Sequence, residues 1–265
     1  MLTEIFDTHA HYASRQFDSD RKELLDSLPQ KGVVGICQCA THSGDAPACL
    51  ELAEAYPYIW AAVGIHPESL VEEDAPTVTR YHGDWQAELR DMEPLFAHPK
   101  VVAVGEIGLD HHWDIPAQAQ YDLFEAQLRL ARELDKPVII HDRQAHGEIY
   151  ELIRKYKPKG ILHCFSGSAE DAAWLTQQGM YIGFGGALTF QGAKRAVKAA
   201  AAVSLDKLLL ETDCPYMAPV PCRGQRCDSS LIAHVAAFLG ELRQMEPQEI
   251  CHITHANARR VFGLE

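Results

Sequence analysis

The sequence predicts a (β/α)8 TIM barrel, and two patterns support that fold class. Short apolar or β-branched runs alternate with longer amphipathic segments, at about the spacing of one helix and two loops, which indicates parallel βα units. Several of the runs are apolar throughout, as expected for strands buried on both faces. A doubly wound open sheet is the main alternative, but a His-x-His follows the first strand where that fold carries a glycine-rich fingerprint. The eight predicted strands are residues 5–8, 33–39, 59–64, 101–106, 137–141, 160–163, 181–184 and 207–211.

The segments between these strands have the spacing of amphipathic helices. Between Pro116 and Lys136 the residues at intervals of three and four that predict one buried face are Tyr121, Phe124, Leu128 and Ala131. Pro116 suits the first turn of that helix, and a proline after Lys136 supplies a stop. Further helices are predicted over 195–203, 229–242 and 247–262. Because no linker or internal repeat interrupts the pattern, we predict a single domain over residues 1–265.

Composition narrows the class of protein. The chain has 265 residues, 47% of them hydrophobic, which is ordinary for a globular domain with a sizeable core. Its net charge of −13 argues against binding nucleic acid through a basic surface, and two divalent cations would still leave about −9. Neither a signal peptide nor an apolar stretch of ~20 residues is present, so we expect no membrane partner. Eight scattered cysteines suit free thiols in a reducing compartment, so we expect a cytoplasmic protein.

Side chains that can bind metal stand at or just after the ends of six predicted strands. Reactive groups of such barrels lie at the carboxyl ends of the strands. One such histidine would more often be structural, but several buried and unpaired polar groups would together cost several kcal/mol. A metal cluster explains all of them together. The residues are His9, His11, His66, Glu106, His141, His163 and Asp213.

The chemistry of this set is imidazole with carboxylate. His9 and His11 point the same way because alternate side chains of a strand share a face. The mixture suits zinc, manganese or iron, and magnesium less naturally. Six ligands from this set, all but His66, exceed the three of a mononuclear catalytic site and fit two divalent ions, with Glu106 as a candidate bridge. Asp213 is a candidate both for a metal ligand and for the general base that takes a proton from water.

The chain resembles the TatD-type metal-dependent deoxyribonucleases of the amidohydrolase superfamily, through ordered motifs that run nearly from end to end. Each motif alone is weak, but seven in order are highly specific. The motifs are Phe6-Asp7-Thr8-His9-Ala10-His11; Gly64-Ile65-His66-Pro67; Gly105-Glu106-Ile107-Gly108-Leu109-Asp110; His141-Asp142-Arg143; His163-Cys164-Phe165-Ser166-Gly167; Glu211-Thr212-Asp213-Cys214-Pro215-Tyr216 with Pro219 and Arg223-Gly224; and Asn257-Ala258-Arg259-Arg260-Val261-Phe262-Gly263.

The resemblance implies an amidohydrolase-like barrel that hydrolyses DNA phosphodiester bonds with two divalent ions and a metal-activated water. It implies that His66 faces the substrate, and it implies two ligand sets that share one carboxylate. The first set is His9, His11, Glu106 and Asp213, and the second is Glu106, His141 and His163.

Phosphate contacts are expected from Arg143, Arg223 and Arg226, since guanidinium forks suit phosphate oxygens, although a surface salt bridge is an equally good interpretation of each. Ser166 and Gly167 offer a hydroxyl and a backbone N–H to the same phosphate, with a plain turn as the competing interpretation.

Three departures from the family pattern concern the expected mouth of the barrel. His111, His112 and Trp113 follow Asp110 where aromatic residues are usual, and Gln144 stands where an acidic residue is common. Residues 227–229 replace an Asn-Glu-Pro run. Because no departure removes an expected metal ligand, they affect the expected substrate preference more than the chemistry.

We therefore predict a metal-dependent deoxyribonuclease, acting as an exonuclease on single-stranded or damaged DNA, with Mg, Mn or Zn as the metal. Trp113, Tyr216 and Phe165 are candidates to stack on unpaired bases, or to pack the barrel rim. Two other functions compete with this one. The same ligands suit a hydrolase of a small ester, amide, phosphoester or aminoacyl-RNA ester, and they suit a non-catalytic scaffold stabilised by metal. The sequence leaves the oligomeric state open.

Overall fold

The computed structural model describes residues 1–264, and within them eight strands form one sheet in the order β1 to β8. The pairs β1–β2, β3–β4, β4–β5, β5–β6 and β7–β8 are parallel. A further parallel bridge joins Ala10, at the end of β1, to Cys214 after β8. This is the predicted (β/α)8 barrel fold. The strands are β1 Ile5–Ala10, β2 Val33–Cys39, β3 Ile59–Val63, β4 Val101–Asp110, β5 Val138–Arg143, β6 Gly160–Leu162, β7 Met180–Phe184 and β8 Leu208–Leu210.

Helices follow the strands along the chain. The longest, α5, has the predicted apolar face, since Phe124, Leu128 and Ala131 are buried. Tyr121 lies at the edge of that face, and Gln120 and Gln127 are buried on it. The helices are α1 Arg21–Ser27, α2 Ala46–Ala55, α3 Pro76–Thr79, α4 Trp85–Met92, α5 Ala117–Glu133, α6 His146–Tyr156, α7 Ala169–Gln177, α8 Lys194–Ala202, α9 Ile232–Arg243 and α10 Pro247–Phe262.

Strands β4 and β5 run further than predicted. The prediction ended β4 at Glu106, but its pairing with β5 continues, and Gly108 stands opposite His141. Gly108 has φ 149°, and a Cβ there would lie 2.0 Å from the His141 carbonyl oxygen, so only glycine fits this approach. The longer pairing brings Asp110 opposite Arg143 and includes both in the sheet.

The chain divides into two compact units. The first contains residues 1–38 and the chain from residue 163 onward, and in it Phe6 of β1 stacks on Phe262 of α10 with ring centroids 6.0 Å apart. The second contains residues 39–162, with strands β3 to β6. A single domain over 1–265 stays a prediction. In residues 1–264 no helix combines the length and the apolar character that crossing a membrane requires.

Candidate metal centre

The first unit brings together four of the predicted ligands, which we call the first group: His9, His11, His163 and Asp213. One ligand atom each from His9, His163 and Asp213 lies within 4.8 Å of the others. The rings of His9 and His163 stack 3.9 Å apart at 12°, and the Nε2 atoms of His9 and His11 are 2.9 Å apart. Asp213 Oδ1 lies 3.4 Å from His11 Nε2 and 3.6 Å from His9 Nε2.

Backbone hydrogen bonds hold this group in register. The Asp213 N–H donates to the His9 carbonyl over 2.9 Å, and the His11 N–H donates to the Cys214 carbonyl over 2.8 Å. The backbone at His9 and His11, around the end of β1, therefore pairs with the backbone at Asp213 and Cys214, which follow β8. This pairing places the Asp213 carboxylate beside both imidazoles, although about two hundred residues separate them in sequence.

The carboxylate of Asp7, which the sequence analysis did not single out, joins the chain segments that carry His9 and Asp213 of the first group. Its carboxylate accepts hydrogen bonds from the Thr212 N–H (3.0 Å), the Thr212 hydroxyl (2.6 Å) and the Ser229 hydroxyl (2.7 Å). It also accepts one from the His9 N–H over 3.2 Å. Burial raises the pKa of Asp7 to about 7 in spite of these four donors. A single buried carboxylate thus connects β1 to two segments near the other end of the chain.

The electrostatics of Asp213 favour its ionised form. Burial by itself would raise the pKa of this carboxyl group. The hydrogen bond from His11 and the nearby charges of His9 and His163 outweigh burial, so the pKa of Asp213 is lowered. An ionised carboxylate is the form that binds a cation and accepts a proton.

The second unit brings together His66, Glu106 and His141, which we call the second group. One ligand atom from each lies within 4.8 Å of the others. Glu106 Oε1 is 3.0 Å from His141 Nδ1 and 3.6 Å from His66 Nε2. His66 was expected to face the substrate, and it lies here within the donor group itself. Glu106 is 4% exposed, so its charge needs a partner in this group.

A second buried carboxylate stands behind His141. Asp110 Oδ2 lies 2.9 Å from His141 Nε2, and Asp110 is fully buried. Burial would raise the pKa of Asp110, but the hydrogen bonds from His141 and from the His112 N–H lower it. Histidines that bind metal commonly give their other ring nitrogen to a carboxylate, which fixes tautomer and orientation. In this arrangement Nδ1 of His141 is the nitrogen available to an ion beside Glu106.

Glu211 lies behind His163 of the first group, as Asp110 lies behind His141 of the second. It is fully buried, its Oε1 lies 3.6 Å from His163 Nδ1, and the Cys164 N–H donates to the same oxygen. A Cβ on Gly183 would lie 2.2 Å from Glu211 Oε2. The absence of a side chain on Gly183 is therefore what leaves room for this carboxylate.

Two buried glutamines on α5 position the second group, and the sequence analysis missed them. Gln120 accepts from the Asp110 N–H (2.8 Å) and donates to the Asp110 carbonyl (3.2 Å). Gln127 does the same for Ile65, at 2.7 and 2.9 Å. Ile65 precedes His66, so each clamp fixes a segment that carries a residue of the site. The available signal was two polar residues seven positions apart, in register with the apolar face of the helix.

The arginines that were predicted to contact phosphate differ in the protein partners that they already have. Arg226 forms a fork with Asp20, at 2.8 and 2.5 Å, and donates to the Gln16 carbonyl over 2.8 Å. Arg223 lies over the Phe190 ring at 4.2 Å. A salt bridge is therefore the better interpretation of Arg226, and its substrate role stays a prediction.

The other side chains that were predicted to contact the substrate differ in their exposure to solvent. Phe165 is 6% exposed and packs edge-on against Phe184, so it packs the core and is not available to a base. Tyr216 and Trp113 are 54% and 51% exposed. Ser166 is exposed, as a substrate contact would need to be.

Both groups fit divalent cations. Each combines imidazole nitrogens with a carboxylate oxygen at separations that one ion can span, and among the residues nearest to each group no thiolate takes part. Such donor sets suit zinc or manganese. The number of ions and their identity stay predictions.

Comparisons with known proteins agree with this chemistry. The family model of TatD-related DNases matches residues 6–263. An uncharacterised metal-dependent hydrolase, YabD of Bacillus subtilis (strain 168), is 38% identical over 98% of this chain and 99% of its own. A protein of Edwardsiella piscicida named 3'-5' ssDNA/RNA exonuclease TatD is 32% identical over 98% of this chain and 100% of its own. The crystal structure of YJJV, a TatD homologue of Escherichia coli K12, superposes with a TM-score of 0.90 at 33% identity over all of both chains.

Fold, donor groups and relatives together define a metal-dependent hydrolase with an amidohydrolase-like barrel. The chain belongs to the TatD-related DNase family. This membership confirms the family predicted from the motifs, and it favours an enzyme over the metal-stabilised scaffold.

Proposed function

We propose that this protein hydrolyses phosphodiester bonds of single-stranded DNA or of DNA ends with a metal-activated water. The observation that carries the proposal is the composition of the two donor groups, each of which places imidazole nitrogens next to a carboxylate. Both groups stand at or after the carboxyl ends of strands, where barrel enzymes place their reactive groups. The relatives named as ssDNA/RNA exonucleases support a nucleic acid as the substrate.

The proposed ligand sets follow the family motifs. One ion would be held by His9, His11, Glu106 and Asp213, and a second by Glu106, His141 and His163. When bound, the two ions would neutralise charge on the phosphate and lower the pKa of a water molecule. The donors suit manganese or zinc better than magnesium, which prefers oxygen ligands.

The chain's own residues have separate parts in the proposed reaction. Asp213, whose pKa is lowered, accepts the proton that the attacking water gives up as its oxygen bonds to phosphorus. The P–O bond opposite breaks, and the departing oxygen takes up a proton in turn. Asp110 orients His141 through Nε2, and Glu106, 3.0 Å from Nδ1 of the same ring, would contribute its carboxylate to both ligand sets. His66, 3.6 Å from Glu106, would contact a phosphate oxygen of the substrate.

Charge favours single strands over duplex. The net charge of −13 offers no general attraction to a phosphate backbone, so binding depends on a few local cations. Arg143 and Arg223 are the proposed phosphate contacts, since the Arg226 fork is engaged by Asp20. A cytoplasmic location stays a prediction.

The test combines hydrolysis with metal content. We expect the protein to degrade end-labelled single-stranded DNA with Mn²⁺ or Mg²⁺, and elemental analysis to find about two ions per chain. We expect His141→Ala and Asp213→Asn to slow degradation by at least about 10²-fold and to lower the metal content. His252→Ala is the matched control, because His252 lies on the surface against Glu4 and belongs to neither group.

Full activity with unchanged metal content in His141→Ala or Asp213→Asn would overturn the site. Hydrolysis of small esters or amides, with no degradation of DNA, would favour the small-substrate alternative. A small phosphodiester hydrolysed alongside DNA would agree with the proposal.

A further inference from the structure

Trp113 is an exposed aromatic side chain beside the second group. It lies three residues after the end of β4, the strand that carries Glu106 and Asp110, and it is 51% exposed. The Arg143 guanidinium lies over its ring, 5.6 Å from the centroid. The His112 ring meets its edge at 4.8 Å and 77°. One face of the indole is therefore supported by neighbours while half of the side chain stays open to solvent.

A continuous series of contacts leads from the donor group to this ring. Glu106 Oε1 is 3.0 Å from His141, and the other nitrogen of His141 is 2.9 Å from Asp110. Asp110 is 3.9 Å from an Arg143 Nη1 atom, and Arg143 lies on Trp113. Two side chains, those of Asp110 and Arg143, thus lie between His141 and the indole.

Arg143 has the exposure that a ligand contact needs. Its side chain is 43% exposed, and its ion pair with Asp110 is long, at 3.9 Å. Asp110 directs its shorter contact to His141, so the Arg143 fork retains donors for an incoming anion. Arg226 is different, because Asp20 engages two of its nitrogens.

We propose that Trp113 and Arg143 form a nucleotide subsite, in which the indole stacks on an unpaired base and the guanidinium contacts the neighbouring phosphate. The inference rests on the proposed function and specifies the substrate as a single strand with intact bases. Aromatic stacking tolerates every base, so the subsite reads the presence of a base and not its identity. A paired base is already stacked in its helix, so duplex regions would not use this subsite.

The same unit contains a matched pair at the opposite ends of the strands. Lys100 lies 5.3 Å from the centroid of Trp60, near the start of β3 and β4, and its ammonium donates to the backbone carbonyls of Tyr56, Pro57 and Ile59. The amino ends of barrel strands serve stability. Trp60→Leu therefore controls for the loss of an indole that is paired with a cation.

The experiment measures binding to two oligonucleotides that differ by one base. One is intact single-stranded DNA with a fluorescent label, and the other has an abasic residue near its 3' end, with a series that moves this position. Anisotropy titrations use the Asp213→Asn background, so that the DNA is not consumed. We expect one position at which the intact strand binds about 5- to 150-fold more tightly, the range that base–aromatic stacking provides.

Trp113→Leu should reduce that preference to about one, and Trp113→Phe should restore part of it. Trp60→Leu should leave it unchanged, and Arg143→Ala should weaken both oligonucleotides by the same factor. The subsite would be overturned if Trp113→Leu still bound intact DNA more tightly than abasic DNA. It would also be overturned if the Asp213→Asn protein showed no such preference at any position of the abasic residue. Because DNA hydrolysis is measured separately, that result would leave the proposed function standing.

Discussion

The two donor groups differ in how they are held together. In the first group, three imidazoles surround one carboxylate, and the His9 and His163 rings stack directly on each other at 3.9 Å. In the second, His141 lies between two carboxylates, with Glu106 at 3.0 Å and Asp110 at 2.9 Å. Hydrogen bonds between imidazole and carboxylate fix ring orientation before an ion arrives. We therefore expect His141 of the second group, which has a carboxylate within 3.0 Å of each ring nitrogen, to be more firmly oriented before an ion binds than His163 of the first group, which lies 3.6 Å from Glu211.

The carboxylates behind the histidines follow the same division. Asp110 is 2.9 Å from His141 and is clamped through its backbone by Gln120, whereas Glu211 is 3.6 Å from His163. Four changes to the protein test this difference between the two groups, the first with the largest expected effect and the last with the smallest.

The largest effect is expected from Asp213→Asn, which removes the carboxylate of the first group. The change removes a proton acceptor, and we expect the turnover of DNA to fall by about 10²–10⁴-fold. Steady-state rates with Mn²⁺ measure it. Asp228→Asn is the control, since Asp228 caps a short helix and asparagine caps equally well. Similar rates in the two variants would remove Asp213 from the reaction.

Asp110→Asn tests whether the second group is preorganised. We expect Mn²⁺ or Zn²⁺ to bind about 10–100-fold more weakly, because His141 loses the partner that orients it. Glu211→Gln should have a smaller effect, since Glu211 stands further from His163. Titration calorimetry provides the affinities.

Glu88→Gln is the matched control for Asp110→Asn. Glu88 is also fully buried, but it accepts from the Ser43 N–H and the Thr77 hydroxyl and contacts neither group. Equal losses of affinity in Asp110→Asn and Glu88→Gln would show that Asp110 acts only through stability.

Removal of the ions should separate the groups directly. Saturation at about 100 times the dissociation constant stabilises a protein by roughly 2.7 kcal/mol per site, so a chelator should lower the melting temperature by several degrees. We expect the increase in hydrogen exchange to be larger at residues 9–11 than at residues 141–143. A uniform increase would contradict the contrast drawn above.

The smallest effect is expected from Arg226→Ala, which breaks the fork to Asp20. The hydrogen bond from Arg226 lowers the pKa of Asp20, so the pair stabilises the fold fully above the ordinary carboxyl pKa, and this stabilisation is lost as the pH falls through the lowered pKa. The variant should melt slightly lower than the parent at pH 7, and the difference should close as Asp20 becomes protonated in acid. A raised KM for DNA with an unchanged melting temperature would instead make Arg226 a substrate contact.

Much of the fold could be predicted because each strand carries its own apolar pattern and six of the eight strands end near a candidate ligand. His9, His163 and Asp213 were predicted one by one and meet in the first group. The engagement of Arg226 could not be predicted, because Asp20 lies 206 positions away. The roles of Gln120 and Asp110 also depend on contacts between a helix and a strand end, which no local pattern contains.

The carboxylate of Asp7 has a consequence for the order in which the protein matures. It connects β1 to Thr212, 205 positions later, so the ligands made first on the ribosome wait for the last part of the chain. The residues of the second group lie between positions 66 and 141 and have all left the ribosome much earlier. A newly made chain would therefore have all the residues of its second donor group available before those of its first.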